Sequence, residues 1–167
     1  MDANQKKTAL RMIPYGLYVL TAKAADVGTA AATVNWVTQA SFEPPLVVVA
    51  VKADSQANAV IRSSKSFALN FLGKGQGPTA FAFFKSVEDD GQKIGGESYR
   101  TGSTGAPVLE TAPAFVECRV LEIVERGDHA IVVGEVVDAG VTQEPEGRPD
   151  DAVLWLKELG ARVFYGG

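Results

Sequence analysis

Apolar residues fall along this chain in short, dense, β-branched runs. Leu46 to Val51 and Ile131 to Val137 are typical, and valine alone occurs 21 times. Such runs suit strands better than helices and predict a core that is mostly sheet. The pattern predicts strands over Tyr15 to Ala22, Thr29 to Phe42, Leu46 to Ala53, Phe67 to Leu72, Phe115 to Glu125 and Ala130 to Val141. Asp26-Val27-Gly28 and Arg126-Gly127-Asp128-His129 read as turns between neighbours, and Pro44-Pro45 separates the second strand from the third. Helical spacing is rarer. It is expected in Asn4 to Met12, stopped by Pro14, and in Gln56 to Ser64, where Ala57, Val60 and Ile61 share a face behind an N-cap at Asp54 or Ser55. Thr79 to Phe84 reads as a helix with Pro78 in its first turn, and Asp150 to Leu159 as one carrying Val153, Leu154, Leu156 and Leu159. Residues 86–105, rich in glycine and acid, read as an exposed loop, and Ala161 to Tyr165 as a short strand or extended tail. About seven strands, three or four short helices and no βαβ alternation point to a closed antiparallel barrel formed by one domain, residues 1–167.

Composition narrows the chemistry. The chain has 167 residues, a net charge of −4, one Cys and one His. That excludes a disulfide framework and a zinc site of thiolates and imidazoles, and argues against a nucleic-acid binder. No apolar run reaches the roughly 18–20 residues of a membrane span, and the first residues lack the apolar centre of a signal peptide, so a soluble cytoplasmic protein is expected. Charge is unevenly spread: residues 1–87 carry a balance of +5 and residues 88–167 one of −9. An anionic small molecule is therefore expected on the first half. Gly73-x-Gly75-x-Gly77 lacks the spacing of a dinucleotide loop. His129 has no Gly-x-Ser-x-Gly serine to work with, and Cys118, inside a valine-rich strand, reads as a small buried hydrophobe. With so little acid, base or nucleophile, redox or group-transfer chemistry has to come from a bound cofactor.

The stretch Thr33-Val34-Asn35-Trp36-Val37-Thr38-Gln39-Ala40-Ser41-Phe42 places amides and hydroxyls in what is otherwise a core strand, and it runs into Glu43-Pro44-Pro45-Leu46-Val47. Buried polar groups so placed need partners. Asp54-Ser55 through Asn58, Phe67-Ala68-Leu69-Asn70-Phe71-Leu72 with Gln76, Gly105-Ala106-Pro107-Val108-Leu109, and Gly127-Asp128-His129 before Ile131-Val132-Val133-Gly134-Glu135-Val136 follow in order. This ordered set, over residues 12–142, resembles the flavin reductase-like, FMN-binding split-barrel family. It is most similar to the branch fused to rubredoxin or found in diflavin flavodiiron proteins.

The resemblance implies a mainly β fold with short helices, an antiparallel Greek-key split barrel of six strands that forms a homodimer with one non-covalent flavin per subunit near the interface. FMN is the expected cofactor and FAD the alternative, with NADH or NADPH as transient donor. Thr33, Val34, Asn35, Trp36, Val37 and Thr38 would lie along the isoalloxazine, Trp36 standing where the family commonly has a small residue. Ala50, Val51 and Lys52 with Ser55 and Asn58 would receive the phosphate, where a helix N-terminus offers free amides and a positive dipole end. Lys74 and Gln76 would close over ribityl or phosphate, Phe84 would pack beside the flavin or face the core, and His129 would stand near the flavin and nicotinamide. The implied activity is an NAD(P)H-dependent flavin reductase that passes electrons to free flavin, ferric iron, oxygen or a protein. A partner would be a rubredoxin, a flavodiiron protein or a monooxygenase. The alternative is an electron-relay module without NAD(P)H turnover of its own.

Overall fold

A computed structural model describes residues 1–167. Its centre is a seven-stranded antiparallel sheet built from β1 (Tyr18–Ala24), β2 (Gly28–Val34), β3 (Val37–Ser41), β4 (Leu46–Lys52), β5 (Ser66–Phe71), β9 (Ala114–Glu125) and β10 (His129–Val141). The order is β2-β1-β5-β9-β10-β4-β3. The two edges, β2 and β3, are consecutive in the chain, so the curled sheet ends on either side of Asn35-Trp36 and the barrel is split there. The stretch Thr29 to Phe42, read from sequence as one strand, is two. The chain uses Asn35 and Trp36 to cross from one edge to the other, and Ala50 N donates to the Trp36 carbonyl across the step at 3.0 Å. The sheet has seven strands, one more than the six that the resemblance implies.

Helix α1 (Ala3–Arg11) is capped by Asp2 and buries none of its residues. Helix α2 (Gln56–Ser64) begins at Ser55, whose hydroxyl accepts from Asn58 N at 3.2 Å. It turns Ala57, Val60 and Ile61 into the barrel against Leu20, Val51, Phe67 and Leu69. Gly134 sits at a bulge between β9 and β10, where a side-chain carbon would come within 2.7 Å of the Phe67 ring, so the barrel closes over Phe67 only with glycine there.

β1 is buried on both faces. Leu20 and Ala22 point into the barrel, while Leu17 and Val19 belong to a second cluster with Phe83, Ile94 and Leu109. That outer layer contains α3 (Gly77–Ala82), with Pro78 in its first turn, and a three-stranded sheet of β6 (Lys93–Ile94), β7 (Glu97–Thr101) and β8 (Pro107–Leu109). The segment 86–105, expected as a loop, thus contains two short strands, β6 and β7, joined by turns. Asp89 ties it to the barrel by accepting from Thr29 Oγ1 at 2.6 Å and braces it internally by accepting from Tyr99 Oη at 2.8 Å, and its glycines turn short strands rather than dissolve them. The helix expected over Asp150 to Leu159 is reduced to α4 (Pro149–Ala152) and a 3₁₀ turn at Leu156–Leu159. Between them the chain is extended and adds to the end of the sheet: Leu17 N donates to the Leu154 carbonyl at 2.8 Å, and Leu154 N to the Leu72 carbonyl at 2.7 Å. Residues 161–167 form neither helix nor strand. No helix is long and apolar enough to cross a membrane.

Candidate functional site

The split in the barrel opens into a cavity of about 350 Å³. One wall is the end of β2 with Asn35, and the facing wall is Ala50, Val51 and Lys52 of β4. Leu17, Phe83 and Leu156 supply apolar floor, Lys52, Ser55 and His129 the polar groups, and Val163, Phe164 and Tyr165 a further wall. A largely apolar hollow with a few convergent polar groups is the usual form of a small-molecule site.

Of the residues singled out from sequence, Thr33, Val34, Asn35, Ala50, Val51, Lys52, Ser55, Phe84 and His129 line this cavity. Thr33 also ties the outer layer to the barrel edge, its hydroxyl donating to the Ala80 carbonyl at 2.7 Å and its amide to the Phe83 carbonyl at 3.0 Å. Phe84 is half exposed, beside Phe81. Trp36 stands behind the lining: its ring centroid is 4.6 Å from His129 and 5.3 Å from Tyr165, and its buried Nε1 has no partner. Val37 and Thr38 lie on the edge strand away from the cavity, the Thr38 hydroxyl donating to the neighbouring Gln39 carbonyl. Asn58 is buried within α2, where Nδ2 donates to the Ala53 carbonyl at 2.6 Å and staples the β4–α2 loop. Lys74 and Gln76 border a separate, polar cavity shared with Glu144, Glu146 and Asp151. Gln76 is a corner clamp there, accepting from Gly73 N at 2.7 Å and donating to the Thr111 carbonyl at 2.9 Å.

The polar end of the first cavity is cationic and rich in donors. Lys52 Nζ lies 3.0 Å from Asp54, whose carboxylate holds the ammonium above the ordinary lysine value while its own pKa is lowered. The Ser55 hydroxyl donates to the Lys52 carbonyl at 2.7 Å, which fixes the turn that brings the lysine to the start of α2. There the helix dipole adds to the charge of Lys52. At the mouth, β10 begins at His129, directly opposite Lys52 in the β4–β10 ladder. Its Nδ1 lies 2.9 Å from Asp128 Oδ1 and its Nε2 2.8 Å from the Tyr165 hydroxyl. The hydrogen bond to the imidazole lowers the Asp128 pKa, and burial raises that of Tyr165.

The wall formed by Val163, Phe164 and Tyr165 is the part that sequence reasoning missed. Its signal was the aromatic pair Phe164-Tyr165 following Val163 in a tail bounded by glycines. Leu17, Ala32 and Leu156 were missed as well, because nothing in their local pattern distinguishes a cavity floor from core.

Comparison with known proteins places these features in a family. The profile described as "Flavin reductase like domain" matches residues 10–158. The chain is 33% identical over 144 residues to diflavin flavoprotein A 1 of Synechocystis, covering 86% of this chain and 25% of that protein. It therefore spans about a quarter of the length of the diflavin flavoproteins it matches. Among solved structures, it superposes on the Streptomyces globisporus NADH:FAD oxidoreductase in complex with NAD and FAD fragments, with a TM-score of 0.70, 28% identity and coverage of 83% of this chain and 88% of that one. The styrene monooxygenase flavin reductase of Pseudomonas putida gives a TM-score of 0.69 at 26% identity, covering 82% and 87%.

Proposed function

The chain belongs to the flavin reductase like domain family, and on that premise we propose that it is a flavoprotein oxidoreductase, binding FMN or FAD without a covalent bond in the cavity at the barrel's split and reducing it with NADH or NADPH. The observation that carries this reading is the cavity itself: apolar walls joined to one cationic, donor-rich end. That donor set fits a flavin. Lys52 and the Ser55-capped start of α2 suit its phosphate, and the facing strand ends at Thr33–Asn35 and Ala50–Lys52 suit a flat ring system.

A flavin held by Lys52, Ser55 and the strand ends at Thr33–Asn35 and Ala50–Lys52 would supply the redox chemistry, hydride acceptance from NAD(P)H and two-electron delivery to an acceptor. The residues of the chain bind, orient and exclude water. Leu17, Phe83 and Leu156 keep the floor apolar, Asn35 holds the Tyr165 carbonyl through Nδ2 at 3.3 Å, and His129 stands at the mouth. This suits a chain with almost no acid or base at its cavity, because hydride transfer depends on placement of two rings rather than on a general acid.

The working unit in this proposal is a homodimer in the cytoplasm. Val48, Ala50, Val124, Ile131 and Val133 share the outward face of β4, β9 and β10, partly exposed and continuous with the cavity at Ala50. Such an unpaired apolar stripe suits a symmetric interface. The acceptor is a free flavin, or a redox partner of the monooxygenase or flavodiiron kind. The absorbance spectrum of the purified protein, followed by anaerobic addition of NADH or NADPH, tests the reading. A yellow protein that bleaches without any partner is expected. A colourless protein that leaves the fluorescence of added FMN unchanged would overturn it.

A further inference from the structure

We propose that Tyr165 is a positioning residue for His129, fixing the imidazole at the cavity mouth in its Nδ1–H tautomer and offering the phenol oxygen to the carboxamide of an incoming nicotinamide. The proposal rests on the flavin reductase reading of the same cavity. The Asp128 carboxylate can only accept, so at 2.9 Å the neutral imidazole presents Nδ1–H to it. Nε2 is then an acceptor, and the partner at 2.8 Å is the Tyr165 hydroxyl, which donates. Burial keeps that phenol protonated and able to donate.

Both ring nitrogens of His129 are thereby engaged. The phenol oxygen, having donated its proton to Nε2, keeps lone pairs that suit an amide N–H donor. Tyr165 lines the cavity beside His129, which on this proposal sets the phenol within reach of an entering nicotinamide.

The segment carrying Tyr165 is held independently of the hydroxyl. Asn35 Nδ2 donates to the Tyr165 carbonyl at 3.3 Å, Arg11 Nε donates to the Gly166 carbonyl at 3.2 Å, and the Arg11 guanidinium lies 4.3 Å from the centroid of the Phe164 ring. The Tyr165 ring also packs on Trp36. These contacts give the otherwise exposed α1 a task, since its Arg11 fastens the strap. They also make Tyr165→Phe a clean test, which removes one hydroxyl and leaves the strap and its ring contacts in place.

His129 is the only histidine, so its ring ¹⁵N resonances are assigned without ambiguity. They are recorded on the flavin-free protein, wild type and Tyr165→Phe, in the same mildly alkaline buffer. The wild type is expected as the Nδ1–H tautomer, and the variant should shift toward Nε2–H, the form imidazole favours in water. In steady-state reduction, Tyr165→Phe should raise the KM for the nicotinamide roughly fivefold to tenfold, as loss of one neutral hydrogen bond does, with kcat and flavin affinity within about twofold of wild type. Superimposable ring spectra, or an Nε2–H wild type, would overturn the proposal. So would a fall in flavin affinity and kcat at unchanged KM, which marks Tyr165 as plain wall. The tautomer is read without flavin, so failure of the wild type to bind flavin defeats the family-based activity separately from this assignment.

Discussion

Glu117 gives the sharpest test of how the outer layer is held to the barrel. It lies on β9 and is fully buried. Three donors converge on its carboxylate: Ser103 N and Thr104 N, each at 2.9 Å, and Thr104 Oγ1 at 2.6 Å. Gly102 makes room, since a side-chain carbon there would stand 2.3 Å from Oε1. Glu117→Gln keeps the shape and replaces one oxygen by an NH₂. With the amide oxygen placed on the Thr104 side, the new donor faces Ser103 N, and two buried donors are left opposed. A stranded buried donor costs about 1–3 kcal/mol. For a domain of this size each kcal/mol lowers Tm by about 2–4 °C, so a loss of about 2 kcal/mol appears as a drop of about 4–8 °C. Glu117→Ala orphans all three donors and opens a void, and should cost more, about 3–5 kcal/mol. Glu122→Gln, exposed on the same strand, should stay within about 0.5 kcal/mol of wild type. Calorimetry of the three variants decides. A Glu117→Gln protein melting within about 1 °C of wild type would refute the claim that these donors depend on the carboxylate.

Three further outcomes are expected. Lys52→Glu should weaken FMN binding roughly tenfold in a fluorescence titration by setting a negative charge beside the phosphate, whereas Lys157→Glu, whose side chain lies over Trp155 and does not line the cavity, should not; equal effects would remove Lys52 from the site. Burial pushes the Cys118 thiol up to about 12, well above the value of about 8.5 it takes when unfolded, so the folded state keeps a proton that the unfolded state loses. Stability should therefore fall as pH rises from about 9, by up to about 1.4 kcal/mol per pH unit from this group, and Cys118→Ala should flatten that slope in urea titrations between pH 8 and 10. Light scattering should show a dimer at micromolar concentration that Ile131→Lys dissociates, and a flavin-loaded wild-type monomer would contradict the interface drawn along β4 and β10.

The strands of the barrel were legible because each carries enough β-branched residues to declare itself within its own window. Leu46 to Val51 and Ile131 to Val137 could be little else, and α2 was legible because Ser55 and the spacing of Ala57, Val60 and Ile61 agree. The break at Asn35-Trp36 was hidden. Locally the stretch Thr29 to Phe42 is one continuous strand pattern, and only the curling of the whole sheet sets β2 and β3 at opposite edges. Of the amides and hydroxyls of that stretch, those of Thr33 and Asn35 line the cavity at the split, whereas those of Thr38, Gln39 and Ser41 do not. Lys74 and Gln76 show the converse. Their glycine-rich corner has the composition of a ligand loop, yet the Gln76 amide is consumed by Gly73 and Thr111, and composition does not reveal what a side chain is already bonded to.

The segment from Val153 to Tyr165 shows why the last wall of the site was hardest to read. Val153, Leu154, Leu156 and Leu159 fit a helical face, but Leu154 and Leu156 are the buried pair and Val153 and Trp155 are not, which is the period of a strand. Four apolar positions span too few residues to separate a repeat of two from one of 3.6. The extended form prevails because the ends of β1 and β5 leave free backbone groups at Leu17 and Leu72, and Leu154 satisfies both. That pairing carries the chain across the outer layer toward the split, where Phe164 and Tyr165 meet Arg11, Asn35 and His129. The partner groups for this wall thus lie more than 30 residues away in sequence, on three different elements, and no local window contains them.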